Sequence, residues 1–316
     1  MSSLARRPLP PRAVSLLTLA LTAAALVACS PRYFANQSGR TVKPTITVGS
    51  TNFSEQVILA ELYAQALEGN GYRIERRLNL GSREAVEPAL VSGRIDLYPE
   101  YLATLLAFVT GGADRGSPDP AATYGSLRQA LEPLGISVLD YAPAVNTNGF
   151  VVTRSTAEKY QLSKLSDLAP VAPQLVLGGP PECPLRPFCL TGLRATYGID
   201  FKDFRVLDTG GPLTVAALEG GQVDVALLFS TDPLIRSKQF VLLADDRSLQ
   251  LADNVAPVVR TDLLNRAPAD FQTLLNGVSA KLTTDELTRL NAQVVVEGQQ
   301  PKNVAEAWLR SNGPAR

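Results

Sequence analysis

The chain has 316 residues, 30 basic and 30 acidic side chains, and no histidine. Zero net charge gives no reason to expect nucleic acid or another polyanion as partner, and the missing histidine removes the commonest general base and the commonest zinc ligand. A hydrophobic content of 45% at this length suits a core divided between two domains or lobes.

Arg6, Arg7 and Arg12 form a basic start, followed by an apolar run from Ala13 to Val27 that is too short for a comfortable membrane span. The run ends in Leu26-Val27-Ala28-Cys29. Small residues followed by cysteine at this place resemble the bacterial lipobox, in which the cysteine becomes the lipidated first residue of the mature protein. The reading is a signal peptide over 1–28, lipidation of Cys29, and export to the outer face of the cytoplasmic membrane. The alternative is a plain signal peptide with a leftover cysteine. Residues 29–44 are polar and read as a tether.

Thr45 to Val48 is a β-branched run that predicts a strand, broken by Gly49 and Ser50. Ser54 stands where an N-cap belongs, ahead of Ile58, Leu59, Leu62 and Ala66 at helical spacing. The loop between, with Asn52, Phe53 and Gln56 in or beside it, lies at the carboxyl edge of its strand, where open α/β sheets bind small ligands. A strand over Tyr72–Leu80, a helix from Glu84 to Val91, a strand over Ile95–Tyr98, and a helix from Leu102 to Val109 follow. Pro99-Glu100-Tyr101 reads as leaving the third strand. Gly111 to Pro120 reads as loop, Tyr124 to Leu134 as helix and Ser137 to Leu139 as strand.

Asn148-Gly149 precedes another strand, Phe150 to Thr153, placed as the first crossing into a second lobe. Thr156–Tyr160 and Lys164–Leu168 read as short helices. Strands over Leu175–Leu177, Phe204–Leu207 and Val223–Phe229 alternate with helices over Thr191–Tyr197 and Pro212–Leu218. Phe240–Leu243 and Val255–Val259 are strands near the return crossing, and Ala269 to Trp308 is mostly helical. The expected lobes are 45–145 with 250–316, and 146–249.

The second half repeats the first. Gln174-Leu-Val-Leu-Gly-Gly179 echoes Thr45-Ile-Thr-Val-Gly-Ser50 at an offset of 129 residues. Ala89-Leu-Val-Ser-Gly-Arg-Ile-Asp-Leu97 echoes Ala217-Leu-Glu-Gly-Gly-Gln-Val-Asp-Val225 at an offset of 128. Two matches at nearly one offset imply two α/β lobes of one design facing across a cleft. The repeat pairs Tyr101 with Phe229, each just past an Asp-bearing strand. Rings at two facing edges can box a quaternary ammonium, by roughly 0.5 to 2 kcal/mol each.

Cys183 and Cys189 close a Pro-rich loop. An exported chain meets an oxidising compartment, so a disulfide is expected, contributing about 2 kcal/mol for so small a loop. There is no nucleophile elbow, no phosphate loop and no His or Cys cluster at metal spacing. Neither a metal nor a cofactor is expected.

Four stretches together resemble the extracytoplasmic substrate-binding proteins of ABC importers for glycine betaine, choline and carnitine. They are Gly49-Ser-Thr-Asn-Phe-Ser-Glu-Gln56, Leu80-Gly-Ser82, Gly93-Arg-Ile-Asp-Leu-Tyr-Pro-Glu-Tyr101 and Phe229-Ser-Thr-Asp232. The resemblance implies a type II periplasmic-binding-protein-like fold, two α/β lobes hinged on two crossing strands. It implies no catalysis, a monomer, and delivery of a quaternary amine to a membrane permease driven by an ATPase. Carried onto this chain, the ligand site comprises Asn52, Phe53, Gln56, Ser82, Tyr101, Asn148 and the Phe229-Ser230-Thr231-Asp232 stretch. Phe229 stands where the family usually has tyrosine. Leu190 replaces a tyrosine often found there, which opens one wall of the box. The rivals are an exported lyase or dehydratase on the same fold, and a binding protein for an amino acid or aromatic solute. The latter would want an arginine clamp, for which Arg83 and Arg186 are the candidates.

Overall fold

A computed structural model describes residues 43–313. The signal peptide, Cys29 and nearly all of the tether lie outside the described residues. Among those described, no helix is long and apolar enough to cross a membrane.

The chain opens as β1 (Thr45–Gly49), α1 (Ser54–Glu68), β2 (Arg73–Arg77), α2 (Arg83–Val91), β3 (Leu97–Tyr101), α3 (Leu102–Val109), α4 (Pro120–Leu131) and β4 (Ile136–Val138). It continues through β5 (Asn148–Val152), α5 (Arg154–Tyr160), β6 (Val176–Gly179), α6 (Leu190–Tyr197), β7 (Asp203–Val206), α7 (Pro212–Glu219), β8 (Val225–Phe229), α8 (Pro233–Ser237) and β9 (Val241–Leu242). The return strand β10 (Val255–Arg260) leads to α9 (Thr261–Arg266), α10 (Asp270–Ser279), α11 (Thr284–Val295) and α12 (Pro301–Asn312).

Two five-stranded mixed sheets result, ordered β2-β1-β3-β10-β4 and β7-β6-β8-β5-β9. They have the same plan. In each, three parallel strands are followed by an antiparallel strand that arrives from the other lobe: β10 beside β3, and β5 beside β8. The repeat extends to hydrogen bonds. Asp96 accepts the Thr47 backbone N–H at 2.9 Å and donates its own N–H to the Thr47 carbonyl at 2.8 Å. Asp224 does the same to Val176, at 2.9 Å for both bonds. Each aspartate thus ties the start of the third strand to the first.

Hydrophobic burial fixes the faces. Ile46 and Val48 of β1 pack with Ile58, Leu59 and Leu62 of α1, and the C-terminal helices close this face with Phe271 and Trp308. Val86, Leu90, Tyr98 and Leu105 fill the opposite face of the first sheet. Phe150, Leu177 and Leu227 hold one face of the second sheet, and Val151, Ala226 and Leu228 the other. The crossing segments meet at an antiparallel bridge between Val145 and Asn254.

Three local expectations are corrected. Ser54 is not the N-cap of α1. Phe53 takes that position in an extended conformation, without a side-chain capping bond. Pro99, Glu100 and Tyr101 stay within β3, where Pro99 faces Pro257 of β10. The Pro257 carbonyl accepts from Leu139 on the far side of β10, so the two prolines form a non-hydrogen-bonded pair in which neither would donate to the other, and β1 pairs with β3 only at Leu97, so no donor is missed on that side. The helix expected from Tyr124 begins at Pro120, because Asp119 caps it by accepting the Ala121 N–H at 2.9 Å.

Candidate ligand-binding cleft

Gly49 ends β1 and turns the chain into the cleft. An added Cβ there would come within 2.6 Å of Ile95 Cδ1, so a larger residue would have to displace that buried side chain. The loop delivers Phe53. Tyr101 comes from the end of β3 and Phe229 from the end of β8, so the two sheets contribute at equivalent positions. Phe53 stacks on Phe229 with ring centroids 4.7 Å apart and planes inclined by 25°. Its other neighbour is Tyr101, at 6.4 Å and 21°. One ring from the second lobe and two from the first therefore form a single aromatic group.

Beneath the rings lies a buried carboxylate that the sequence reading did not single out. Glu55, 3% exposed, accepts from the Tyr101 hydroxyl at 2.6 Å and Asn146 Nδ2 at 2.7 Å through one oxygen. Its other oxygen accepts from Thr231 Oγ1 at 2.5 Å and Asn291 Nδ2 at 2.6 Å. These donors come from β3, a crossing segment, the turn after β8, and α11. Burial, and then the adjacent Glu55 charge, push the Tyr101 phenol well above its ordinary pKa, so it remains a donor.

A chamber of about 310 Å³ lies on one side of the rings. Asn52, Phe53, Gln56, Ser82, Tyr101, Asn148 and Phe229 all line it. Its far wall carries a buried network. Arg83 makes a two-pronged bond to Glu100, both contacts 2.7 Å, and reaches Thr104 Oγ1 at 2.8 Å. Tyr98 donates to Glu100 at 2.9 Å. Thr104 N–H donates to Asp253 at 2.9 Å. Burial raises the Asp253 carboxyl to about 7. Burial works against the Arg83 charge, but Glu100 outweighs it and the guanidinium stays protonated.

The mouth of this chamber is closed from the second lobe. The Cys183–Cys189 disulfide is present, with a Cα–Cα distance of 5.2 Å. Arg186, inside its loop, reaches Glu84 of α2 at 3.0 and 3.1 Å. Phe188 packs on Ala103 and Ala107 of α3, and its carbonyl accepts Asn148 Nδ2 and Gln250 Nε2, each at 3.0 Å. The loop lies so close on α6 that a Cβ at Gly192 would stand 1.9 Å from the Pro187 carbonyl oxygen.

A second chamber, about 730 Å³, opens on the other side of Phe53 and Phe229. Thr231 and Asp232 line it rather than the first chamber. Asp232 caps α8 through the Leu234 N–H at 2.8 Å, and burial raises its carboxyl to about 6. Ser230 and Leu190 line neither chamber. Ser230 pins the crossing segment, its hydroxyl accepting the Thr147 N–H at 3.0 Å. Leu190, first residue of α6, packs on the apolar core of the second lobe. The described residues contain no group of three or more Asp, Glu or Cys side chains placed to hold a metal.

The family model for the substrate binding domain of ABC-type glycine betaine transport systems matches residues 44–311. The chain belongs to this family. Family relatives include a glycine-betaine-binding protein of Pseudomonas aeruginosa, 31% identical, the match covering 85% of this chain and 88% of that one. The glycine betaine-binding protein YehZ of Escherichia coli is 29% identical over 85% of this chain and 90% of its own. A crystal structure described as a glycine betaine/carnitine/choline ABC transporter superposes with a TM-score of 0.66 at 28% identity, covering 84% of this chain and 97% of that one. The family's members are extracytoplasmic substrate-binding proteins of ABC importers, and the two mixed α/β sheets are of their fold.

Proposed function

We propose that this protein captures a quaternary-amine osmoprotectant in the cleft between its lobes and hands it to an ABC permease coupled to an ATPase. The observation that carries the reading is the aromatic group. Phe53 and Tyr101 from one lobe and Phe229 from the other converge within 6.4 Å of a common ring. A trimethylammonium group offers no conventional hydrogen-bond donor, and stacked ring faces are the surface that attracts it. Asn52, Gln56, Ser82 and Asn148 supply polar contacts for the rest of the ligand. Thr231 and Asp232 act on the site through Glu55 and the second chamber, while Ser230 and Leu190 support the walls.

On this reading the protein performs no chemistry and works as a monomer. Cys29 carries the lipid anchor that keeps it at the outer face of the cytoplasmic membrane. Binding favours closure because only a closed form can set Phe229 of the second lobe against a ligand held by the rings of the first. Isothermal titration of the purified protein with glycine betaine, choline and carnitine tests this. One-to-one binding of at least one at micromolar affinity, about 8 kcal/mol, is the expected result. No heat of binding with any of them contradicts it. Recovery of the ligand unchanged after incubation checks the absence of turnover.

A further inference from the structure

The chain is neutral overall, but its cleft is acidic. Three carboxylates, the Asp253 carboxyl that burial raises to about 7, and two guanidiniums line the first chamber, and both guanidiniums are already paired. Arg83 is gripped by Glu100 on both prongs. Arg186 is shared between Glu84 at 3.0 Å and Glu182 at 3.5 Å. Four more carboxylates line the second chamber, and no lysine or arginine among the described residues lines it. Of these, only Glu219 has a cationic partner among the described residues, Lys238 at 3.0 Å. Glu55, Asp208 and Asp232 are held by neutral donors.

Several of the neutral donors around the two chambers are engaged too. Ser82 donates to Glu84, Tyr101 and Thr231 to Glu55, and Asn148 to the Phe188 carbonyl. A ligand carboxylate would therefore find no unpaired cationic group, and it would add negative charge to walls that already carry an excess. A ligand cation would find the opposite. A neutral polar tail meets no such repulsion: Thr51 lines the first chamber, and its buried hydroxyl has no hydrogen-bond partner among the described residues.

We propose that the cleft selects a quaternary ammonium with net positive charge and an uncharged polar tail, of which choline is the simplest, over a zwitterion ending in a carboxylate, such as glycine betaine. This rests on the quaternary-amine reading of the site. It departs from what the names of the two relatives would suggest.

The test is a calorimetric titration of the purified protein with choline, glycine betaine and tetramethylammonium, at 50 and at 500 mM sodium chloride. Choline is expected to bind at least tenfold more tightly than glycine betaine. Its affinity is expected to fall several-fold at the higher salt, as screening weakens the attraction of the acidic walls. Glycine betaine binding as tightly as choline, or more so, overturns the selectivity and leaves the quaternary-amine reading standing. Silence of all three ligands overturns both.

Discussion

Glu55 joins four parts of the chain at one carboxylate, through donors 46, 91, 176 and 236 residues away in sequence. No local pattern could announce this, since an acidic residue in the first turn of a helix is ordinary. Removing it strands several buried donors, each at roughly 1–3 kcal/mol. Glu55→Ala is therefore expected to lower the urea-unfolding free energy by about 3 kcal/mol or more, and a loss below about 1 kcal/mol would mean that water or neighbours replace it. Asp253 allows a pH test. Its carboxyl is raised from 3.8 to about 7, so the folded state favours the protonated form. The contribution is full below pH 3.8 and is lost as pH rises through about 7. Asp253→Asn cannot ionise, so its melting temperature relative to wild type should rise between pH 5 and pH 8. A difference that stays constant with pH would contradict the assignment.

At the scale of elements, the duplicated strand–loop–helix units were legible because each copy carries its own turn chemistry and apolar run, and two copies at one offset reinforce each other. Asp96 and Asp224 stood out as repeated residues. Their role as braces on Thr47 and Val176 required the coordinates. Pro99 misled because its effect depends on which strand lies beside it, and Leu190, carried to the ligand box by the family resemblance, packs instead on the second-lobe core at the start of α6. The disulfide loop was legible as a staple but not as a bridge, because Glu84, Ala103 and Ala107 come from the other lobe. Replacing Cys183 and Cys189 by serine should cost about 2 kcal/mol of stability and speed ligand release several-fold in stopped-flow measurements. Arg186→Ala should speed release less, since a partly exposed ion pair contributes about 1 kcal/mol or less. Equal release rates in wild type and the double serine variant would show that the loop does not hold the mouth shut.

The described residues form two lobes of one plan within one compact unit. Contacts between them fall where a ligand would be held: Phe229 on Phe53, Thr231 on Glu55, Arg186 on Glu84. Rings with centroids 4.7 Å apart leave no room for a headgroup between their faces, so seating one there requires the lobes to part and close again. A ligand drives that equilibrium only by its preference for the closed form. The central claim is that rings from both lobes grip one cation. The most direct measurement is the dissociation constant of tetramethylammonium, the simplest mimic of the trimethylammonium headgroup common to the candidate ligands, for wild type, Tyr101→Ala and Phe229→Ala. Each substitution is expected to weaken binding at least tenfold, about 1.4 kcal/mol. An unchanged constant in either variant would contradict the claim.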